Sequence, residues 1–419
     1  MSAVVKITPP DWMSEPDTAR IFTTLKEAGH SVRFVGGCVR DTVAGRPVSD
    51  IDVATDAPPD RVLEVLGAAR IRAVPTGIEH GTITAIPETR PFEITTLRKD
   101  VETDGRHASV EFTNDWVEDA SRRDFTFNAM SAEPNGKIYD YFDGLDDLKT
   151  GRVRFIGVAL DRVAEDYLRV LRFFRFYAHY AKTEPDPESY AACRAAATHV
   201  ETLSGERIWA ELSRTLTAPA PGPVFQMMED IGLLRLLLPV GRSVKRMEAL
   251  AALETMVSFE PDPIRRLTAL IQPNRSEASQ IATRLRLSRE DTHRLDDLNA
   301  SRGESGAGMN ELMLRRALYT LGRDQFRDLI LLDWADQIAM NATEAAQSVQ
   351  GWKDTWDTAS SWEPPEFPLV GGDVLEMGVE EGPKVGEILD DIEEWWVEQA
   401  FRPDREACLD RLRLAVRRR

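Results

Sequence analysis

The chain has 419 residues, of which 42% are apolar and 29% charged, a composition typical of a soluble globular protein with two or more domains. Its net charge of −18 argues against a protein that coats nucleic acid along its whole surface, while a local basic groove stays compatible with it. The three cysteines are too widely separated for a disulfide framework or a zinc pattern, and there is neither a signal-like start nor an apolar run of membrane-spanning length. We therefore expect a cytoplasmic protein without membrane contact.

Strand and helix patterns alternate up to about residue 157. Segments that are rich in β-branched residues and bounded by Gly or Pro predict strands at residues 32–37, 50–55, 71–77, 81–86, 91–97 and 137–144. Helical segments are predicted at 39–44 and 58–69, the second with proline at its start. This part of the chain is predicted to be α/β or α+β, around a mostly antiparallel sheet.

From about residue 158 onwards the pattern is helical. The stretch 160–181 has apolar residues at helical spacing without internal Gly or Pro, and similar stretches follow almost without a break. Segments rich in Gly, Pro and Ser interrupt them at 217–223, 301–308 and 360–372. The sequence predicts a mixed head followed by a long all-helical body, with no strand signal in the second part.

A glycine pair, Gly36 and Gly37, ends the first predicted strand and leads into a helix. Glycine lets a phosphate approach the backbone, and free N–H groups at a helix start favour anions. Arg40 is one turn into the helix, where its guanidinium could hold a phosphate in a fork. By themselves, glycine pairs at such a position are more often only a turn, and Arg40 also fits a surface arginine.

Two aspartates, Asp50 and Asp52, stand one residue apart on the second predicted strand. Side chains alternate along a strand, so both carboxylates are expected on one face, where they repel unless a cation lies between them. Mg²⁺ takes oxygen ligands and keeps positions open for phosphates, which is the two-metal arrangement for nucleotidyl transfer. Glu93, on a strand that could lie beside this one, is a candidate third catalytic carboxylate, and a charge on an edge strand is an equal alternative.

These residues carry a resemblance to a known family. Gly-Gly-x-Val-Arg-Asp followed by Asp-x-Asp resembles the nucleotidyltransferase superfamily that includes DNA polymerase β, and more narrowly the class II CCA-adding tRNA nucleotidyltransferases. Further matching segments stand in the family's order at 80–85, 93–113, 119–130, 139–157, 165–176 and 205–212. The match therefore covers about the first 215 residues, and residues 367–389 resemble the family's tail.

The resemblance implies a fold and an activity. The fold is α+β, with a polymerase β-like head at 1–157, then an all-helical neck at 158–240, body at 241–359 and tail at 360–419 that contacts tRNA. The implied activity is template-independent addition of C, C and A to the 3′ end of tRNA from CTP and ATP. Asp50 and Asp52 are the implied ligands of two Mg²⁺ ions, and pyrophosphate is released. No obligate protein partner is evident.

Base choice requires one hydrogen-bond acceptor beside one donor. Cytosine and adenine present an exocyclic amine next to an unprotonated ring nitrogen, whereas guanine and uracil present the reverse pattern. A carboxylate only accepts and a guanidinium only donates, and Asp166 and Arg169 stand three apart on a predicted helix. By resemblance they read the base. Arg172 and Arg175, which the family places at the nucleotide, continue them as a ridge that is all positive after Asp166.

The segment 119–130 matches the family's ribose motif, with Arg123 and Asp124 at the nucleotide. A carboxylate can accept the 2′-hydroxyl and so favour NTP over dNTP. Arg122 has the same chemistry as Arg123, and only the resemblance favours the latter. Residues 98–113 read as a charged connecting loop, which in the family serves addition of the terminal A.

Three alternatives remain beside this interpretation. The nearest is a related transferase: a CC-only enzyme, an A-only enzyme or a bacterial poly(A) polymerase, against which the stretches 98–107 and 72–85 argue. A metal phosphohydrolase would need a His-Asp pair, and the chain contains no adjacent His-Asp. A non-catalytic RNA-binding protein would not need Asp50 and Asp52.

Overall fold

The computed structural model describes residues 3–104, 107–272 and 275–418, which fold into two compact units. The first unit comprises Met1–Pro239 with Arg284–Arg286, and the second comprises Val240–Thr283 with Leu287–Arg419. Within the described ranges, no helix combines the length and the apolar character that a membrane crossing requires.

A mixed sheet is the framework of the first unit. Its described strands are β1 (Ala3–Lys6), β2 (Val32–Val35), β3 (Asp52–Thr55), β4 (Arg72–Gly77), β5 (Thr82–Ile86), β6 (Phe92–Thr96), β7 (Arg98–Asp104), β8 (His107–Phe112), β9 (Ser131–Ala132) and β10 (Lys137–Asp140). Eight of them form one sheet in the order β1-β10-β9-β2-β3-β6-β5-β4, while β7 and β8 pair separately. In the large sheet β3 and β6 run parallel and the other neighbours antiparallel, so the predicted mostly antiparallel sheet is confirmed.

Helices pack on this sheet and follow it. In the first unit they are α1 (Pro16–Glu27), α2 (Gly37–Val43), α3 (Pro59–Ala68), α4 (Trp116–Ser121), α5 (Gly144–Thr150), α6 (Ala159–Glu165), α7 (Leu168–Tyr180), α8 (Pro187–Ala196), α9 (Gly205–Leu216), α10 (Gly222–Asp230) and α11 (Leu233–Leu237). Phe34 of β2 and Val53 of β3 are fully buried on one face of the sheet, where the Phe34 ring lies 4.4 Å from Phe22 of α1. Because side chains alternate along a strand, Asp52 projects from the opposite face.

Three local predictions were wrong in the head. The second predicted strand begins only at Asp52, so Asp50 lies in the preceding loop and not on the strand. The first predicted strand ends at Val35 because Gly36 turns the chain with φ 70°. Residues 98–113, predicted as a loop, contain the antiparallel ribbon β7–β8, in which Lys99 and Glu111 form a cross-strand ion pair of 3.1 Å. Alternating charges of opposite sign stabilise such a ribbon.

Helix α7 presents two different sides. Its apolar residues Val170, Leu171, Phe173, Phe174 and Phe176 are buried. Phe176 meets the rings of Phe125 and Phe127 edge-on, at centroid distances of 5.1 and 5.4 Å. This apolar stripe fixes the rotation of the helix and leaves its arginine stripe on the other side.

The second unit is helical, as predicted, apart from two short strands, β11 (Gly241–Arg242) and β12 (Ile271–Gln272), which pair with each other. Its described helices are α12 (Val244–Met256), α13 (Pro263–Leu270), α14 (Arg275–Leu285), α15 (Arg289–Ala300), α16 (Glu311–Leu321), α17 (Arg323–Met340), α18 (Ala342–Ser361), α19 (Gly371–Glu376), α20 (Pro383–Glu398) and α21 (Arg405–Arg418), the last residues of α14 belonging to the first unit. Buried Arg265 bridges Glu254 and Asp328, with 2.7 Å between nitrogen and oxygen in each pair.

Candidate active site

The glycine turn opens one side of a cleft in the first unit. Gly36 has φ 70° and ψ −131°, a conformation that residues with a side chain rarely adopt. A Cβ atom at this position would lie 3.4 Å from Nη1 of Arg123 and 3.5 Å from Oδ2 of Asp52. Glycine therefore permits the turn and keeps the space between a guanidinium and a carboxylate free for a ligand.

Asp52 and Glu93 form a carboxylate pair on the same face of the sheet. They are register partners on the parallel strands β3 and β6. Burial raises the pKa of Asp52, and the charges of Glu93 and Asp50 raise it further against the opposing effect of Arg123 and Arg40. Asp50 and Glu93 are exposed. These carboxylates supply the hard oxygen donors that a divalent cation prefers, although within the described residues no three acidic, His or Cys side chains form a ready metal cluster.

The sequence predicted Asp166 on a helix, and this prediction was wrong, because Asp166 lies between two helices. Helix α6 ends at Glu165 and α7 begins at Leu168, while Asp166 is extended with φ −155°. Its Oδ1 accepts a hydrogen bond of 3.1 Å from the Leu168 N–H, which competes with a continuous helix. Its Oδ2 accepts a second, of 2.6 Å, from Arg207 Nη2.

Arg169 pairs with Glu165 and not with Asp166. Its Nη1 donates to Oε2 of Glu165 at 2.5 Å and to the Arg162 carbonyl at 2.9 Å. Arg169 and Asp166 both line the cleft, so an acceptor and a donor stand at one wall, each oriented by a neighbour. Their backbones are joined by a hydrogen bond of 2.9 Å from the Arg169 N–H to the Asp166 carbonyl.

The arginine ridge of α7 is neutralised by carboxylates that the sequence pattern did not reveal. Arg172 Nε donates to Asp124 Oδ2 at 2.6 Å, and its Nη1 lies 3.6 Å from Glu211 Oε1. Arg175 Nε lies 2.7 Å from Glu211 Oε2, in an orientation that makes an ion pair without a hydrogen bond. Burial lowers the pKa of Arg175 to about 10 in spite of Glu211. The ridge is thus not a purely positive surface.

Asp124 is buried, and both of its carboxylate oxygens accept hydrogen bonds. Its Oδ1 accepts hydrogen bonds of 2.9 Å from the Phe125 N–H and from Asn128 Nδ2, and its Oδ2 is held by Arg172. Burial opposes ionisation, yet Arg172 and the hydrogen bond from Asn128 outweigh it and lower the pKa of Asp124. The carboxylate is ionised, and a ribose hydroxyl would reach it by displacing or sharing one of these donors.

Arg122 and Arg123 share the buried carboxylate of Asp119. Arg122 donates to Oδ1 at 2.7 Å, and Arg123 donates to Oδ2 at 3.1 Å. Arg122 is held further by a hydrogen bond of 3.1 Å from its Nε to the Arg98 carbonyl, at the start of the β7–β8 ribbon. Arg123 instead reaches Gly36 and influences Asp52.

The Arg40 guanidinium is held by hydrogen bonds within the first unit. Its Nη2 and Nε reach the two carboxylate oxygens of Asp41 at 2.9 and 3.0 Å, and its Nη1 donates to Asn128 Oδ1 at 2.8 Å. Tyr180 receives a further hydrogen bond of 2.9 Å from Nε. A phosphate would therefore meet this guanidinium already oriented.

These residues converge on one cleft of about 490 Å³. It is lined by Gly36, Gly37, Arg40, Asp52, Arg122, Arg123, Asp124, Asn128, Asp166, Leu168, Arg169, Arg172, Arg175, Phe176 and Arg207. All the residues that the sequence predicted for nucleotide binding are in this set, whereas Asp50 and Glu93 are not. Arg207 and Asn128 were not predicted. Both stand in segments already noted, 205–212 and 119–130, but their contacts depend on the folded chain.

Seven arginines line the cleft, and each lies within 3.1 Å of a carboxylate: Arg40 of Asp41, Arg122 and Arg123 of Asp119, Arg169 of Glu165, Arg172 of Asp124, Arg175 of Glu211, and Arg207 of Asp166. The cleft therefore combines many fork-shaped donors with little free positive charge.

Comparisons with known proteins agree with this geometry. The family model described as "Poly A polymerase head domain" matches residues 32–154, and the one described as "Probable RNA and SrmB- binding site of polymerase A" matches residues 184–243. The chain is 35% identical over 391 residues to "CCA tRNA nucleotidyltransferase 1, mitochondrial" of Danio rerio, covering 91% of this chain and 86% of the relative. It is 31% identical over 394 residues to the "CCA-adding enzyme" of Streptococcus sanguinis (strain SK36), covering 92% and 94%.

Among solved structures, the CCA-adding enzyme of Bacillus stearothermophilus in complex with CTP is similar with a TM-score of 0.69. The superposition covers 96% of this chain and 98% of that chain at 23% sequence identity. This likeness concerns the fold of the whole chain.

Proposed function

Because the chain belongs to the family of CCA-adding tRNA nucleotidyltransferases, we propose that it adds C, C and A in turn to the 3′ end of tRNA, from CTP and ATP and without a template. The observation that carries this proposal is the single cleft in which the glycine turn, Asp52, the Asp166–Arg169 wall and seven arginines meet. In each cycle the 3′-oxygen of the tRNA bonds to the α-phosphorus, the bond to pyrophosphate breaks, and the hydroxyl proton is lost.

Asp50, Asp52 and Glu93 are the residues that would hold Mg²⁺. Among the described residues, neither the Asp52 nor the Glu93 carboxylate accepts a hydrogen bond or lies in an ion pair, and the Asp50 carboxylate accepts only from Ser49. Burial raises the pKa of Asp52, and the charges of Glu93 and Asp50 raise it further. Carboxylate oxygens with so few donors around them fit a hard divalent cation. The chemistry that Mg²⁺ supplies when bound is neutralisation of the charge on the attacking and leaving oxygens.

Asp166 and Arg169 would choose the base. The Asp166 carboxylate accepts from the exocyclic amine of C or A, and the Arg169 guanidinium donates to the adjacent ring nitrogen. G and U would place a carbonyl against the carboxylate and an N–H against the guanidinium, which leaves polar groups unpaired at about 1–3 kcal/mol each. Arg207 and Glu165 support this role because each fixes one of the two readers.

The remaining residues of the cleft would hold the ribose and the triphosphate. Asp124 is ionised and can accept a 2′-hydroxyl, with Arg123 beside the glycine turn. Arg172 and Arg175 offer fork-shaped donors that suit phosphate oxygens, and Gly36 and Gly37 leave the backbone open to a phosphate.

The test is incubation of tRNA that lacks its 3′ end with CTP alone, ATP alone and both, followed by sequencing of the products. We expect two C residues from CTP alone and CCA from both nucleotides. A chain that added only CC or only A would limit the proposal to a partial enzyme. A product with no addition at all would refute it.

A poly(A) polymerase is the second candidate, because the matching family model for residues 32–154 carries that description. It would extend a general RNA primer with many A residues from ATP alone. The same incubation with a non-tRNA oligonucleotide distinguishes the two, since a CCA-adding enzyme stops after one A.

The four-part division into head, neck, body and tail, the contact of the tail with tRNA and the cytoplasmic location stay proposals. The boundary between the two compact units at Pro239 and Val240 supports the limit between neck and body. Cell fractionation tests the location, and crosslinking to tRNA tests the tail.

A further inference from the structure

The first unit has a second cavity, of about 820 Å³, that shares no residue with the nucleotide cleft. It is lined by Val5, Ile7, Val43, Ala44, Arg46, Leu145, Leu148, Lys149, His179, Tyr180, Ala181 and Lys182. Its volume is in the range of small-molecule sites, roughly 300–1,000 Å³. Neither the sequence motifs nor the proposed reaction uses it.

The floor of this cavity is aliphatic. β1 and the residue after it contribute Val5 and Ile7, the end of α2 contributes Val43, and α5 contributes Leu145 and Leu148. Val5 keeps 42% of its surface exposed although it is apolar. An apolar ligand that covered these side chains would gain about 25 cal/mol for each Å² removed from water.

The rim of the cavity is positive and has no acidic member. Arg46, Lys149 and Lys182 stand there, and none of the three lies within 4.0 Å of a carboxylate among the described residues. The Arg46 guanidinium lies 4.1 Å from the centre of the Tyr180 ring and donates to the His179 carbonyl. The Lys182 ammonium meets only the Lys149 carbonyl, at 3.5 Å.

The rim differs from the nucleotide cleft in whether its cations are paired with carboxylates. Every arginine of that cleft has a carboxylate partner, whereas the three rim cations have none within the part of the chain that the structure describes. The chain as a whole has a net charge of −18. An apolar floor with unpaired cations at its edge is complementary to a molecule that is apolar along its length and anionic at one end.

We infer that this cavity binds an aliphatic carboxylate, with the chain on the Val5–Val43–Leu148 floor and the carboxylate at the Arg46–Lys149–Lys182 rim. The inference does not rest on the proposed function. The ligand is a single amphiphile in solution and not a membrane surface, because a cavity of about 820 Å³ matches the size of one small molecule.

Calorimetric titration of the full chain with octanoate, below its micelle-forming concentration, tests the inference. Acetate provides the charge without the chain, and octyl glucoside provides the chain without the charge. We expect octanoate to bind at one site, and the two partial ligands to bind at least about ten-fold more weakly, since each lacks one of the two contacts. Equal affinity for octyl glucoside or acetate, or no octanoate binding up to about 1 mM, would overturn it.

Variants locate the site. Lys149→Glu with Lys182→Glu should weaken octanoate binding at least about ten-fold by reversing the rim charge, and Ala44→Trp should block the floor. The matched control, Lys245→Glu with Lys353→Glu, makes the same change in net charge at exposed lysines that do not line the cavity. Unchanged binding in the rim variant, or equal loss in the control, would overturn the assignment. So would competitive displacement by saturating CTP, which would put octanoate in the nucleotide cleft.

Discussion

Asp52 lies beside Glu93 on neighbouring parallel strands, and neither carboxylate is paired with a donor among the described residues. Burial raises the pKa of Asp52, the charges of Glu93 and Asp50 add to the effect, and Arg123 and Arg40 offset it in part. A carboxyl with a higher pKa in the folded chain weakens folding at every pH where it is ionised. At neutral pH, Asp52 therefore reduces stability while it serves the proposed site.

We predict that Asp52→Asn abolishes addition of both C and A and makes the protein more stable. Removing one of two like charges that face each other on a sheet relieves about 0.2–1 kcal/mol of repulsion. Urea unfolding and nucleotide incorporation on a tRNA primer measure the two effects. Glu88→Gln is the control, because that exposed carboxylate should leave both unchanged. Near-normal turnover in Asp52→Asn at saturating Mg²⁺ would contradict the assignment.

Arg207 is the residue on which the orientation of Asp166 depends most. Its Nη2 is 2.6 Å from Oδ2, and the other oxygen is held by the Leu168 N–H. We predict that Arg207→Ala lowers the preference for CTP and ATP over UTP and GTP by about ten-fold, because a carboxylate that is held at one oxygen only can turn away from the base. Chemistry at saturating CTP should fall less than selectivity.

The measurement is kcat/KM for all four nucleotides on one tRNA primer. Arg235→Ala, an exposed arginine of α11, is the matched control. Rescue of selectivity by Arg207→Lys would support a positioning role. If Arg207→Ala lowered all four values equally, Arg207 would act on the triphosphate or on the fold, and it would not orient Asp166 for base selection.

At the scale of elements, local patterns predicted most of the fold and part of the site. β-branched segments and helical spacing located six of the eight strands of the large sheet, all but β1 and β9, and the helical remainder, because burial of one face imposes those periods. The break at Asp166 could not be predicted, since a carboxylate three residues before an arginine fits a helical pair as well as a helix start. Glu211 was missed as a partner because its contacts with Arg172 and Arg175 join two separate helices. The pairs of Asp119 with Arg122 and Arg123, three and four residues apart, could have been read from helical spacing.

We predict that the β7–β8 ribbon is needed for the change from C addition to A addition. Its first residue is tied to the cleft, because Arg122 Nε donates to the Arg98 carbonyl at 3.1 Å and the Arg98 N–H donates to Asp119 at 3.3 Å. Replacing residues 100–106 with a Gly/Ser linker of equal length keeps these contacts and removes the ribbon's end. We expect CC addition to persist and A addition to fall at least about ten-fold.

Sequencing of products made with both nucleotides gives the ratio of products that end in CCA to products that end in CC, and CC addition is the internal control. Asp119→Asn is the complementary variant, since it loosens the base of the ribbon together with Arg122 and Arg123 and should impair both additions. Equal loss of C and A addition in the linker variant would mean that the ribbon has a general role.

At the scale of the whole molecule, many charged side chains form ion pairs with one another, and some of these pairs are buried. In the second unit Arg265, 2% exposed, bridges Glu254 and Asp328. Buried ion pairs add little net stability, but loss of one member is costly because the remaining charges stay buried with fewer partners. Without Arg265, Glu254 keeps Arg266 and Asp328 keeps Arg294. The net charge of −18 therefore says little about how single regions interact.

We predict that Arg265→Ala lowers the free energy of unfolding by about 3–5 kcal/mol. The comparison is Arg315→Ala, which removes a partly exposed arginine that pairs with exposed Glu311 one helical turn away. That variant should cost at most about 0.5 kcal/mol, because solvent screens the pair. Urea unfolding of both variants is the measurement, and similar losses in the two would show that the Arg265 cluster is not buried in solution.

The pairing of every cleft arginine with a carboxylate affects the rate of product release. A triphosphate that draws a guanidinium away from its carboxylate loses part of the attraction, because an internal contact is given up. When pyrophosphate leaves, such an arginine regains its partner, and departure is favoured by the same amount. Three nucleotides are taken up in succession for each tRNA, and the arrangement therefore suits repeated turnover better than tight retention. It also makes nucleotide capture less sensitive to ionic strength than an open basic groove would be.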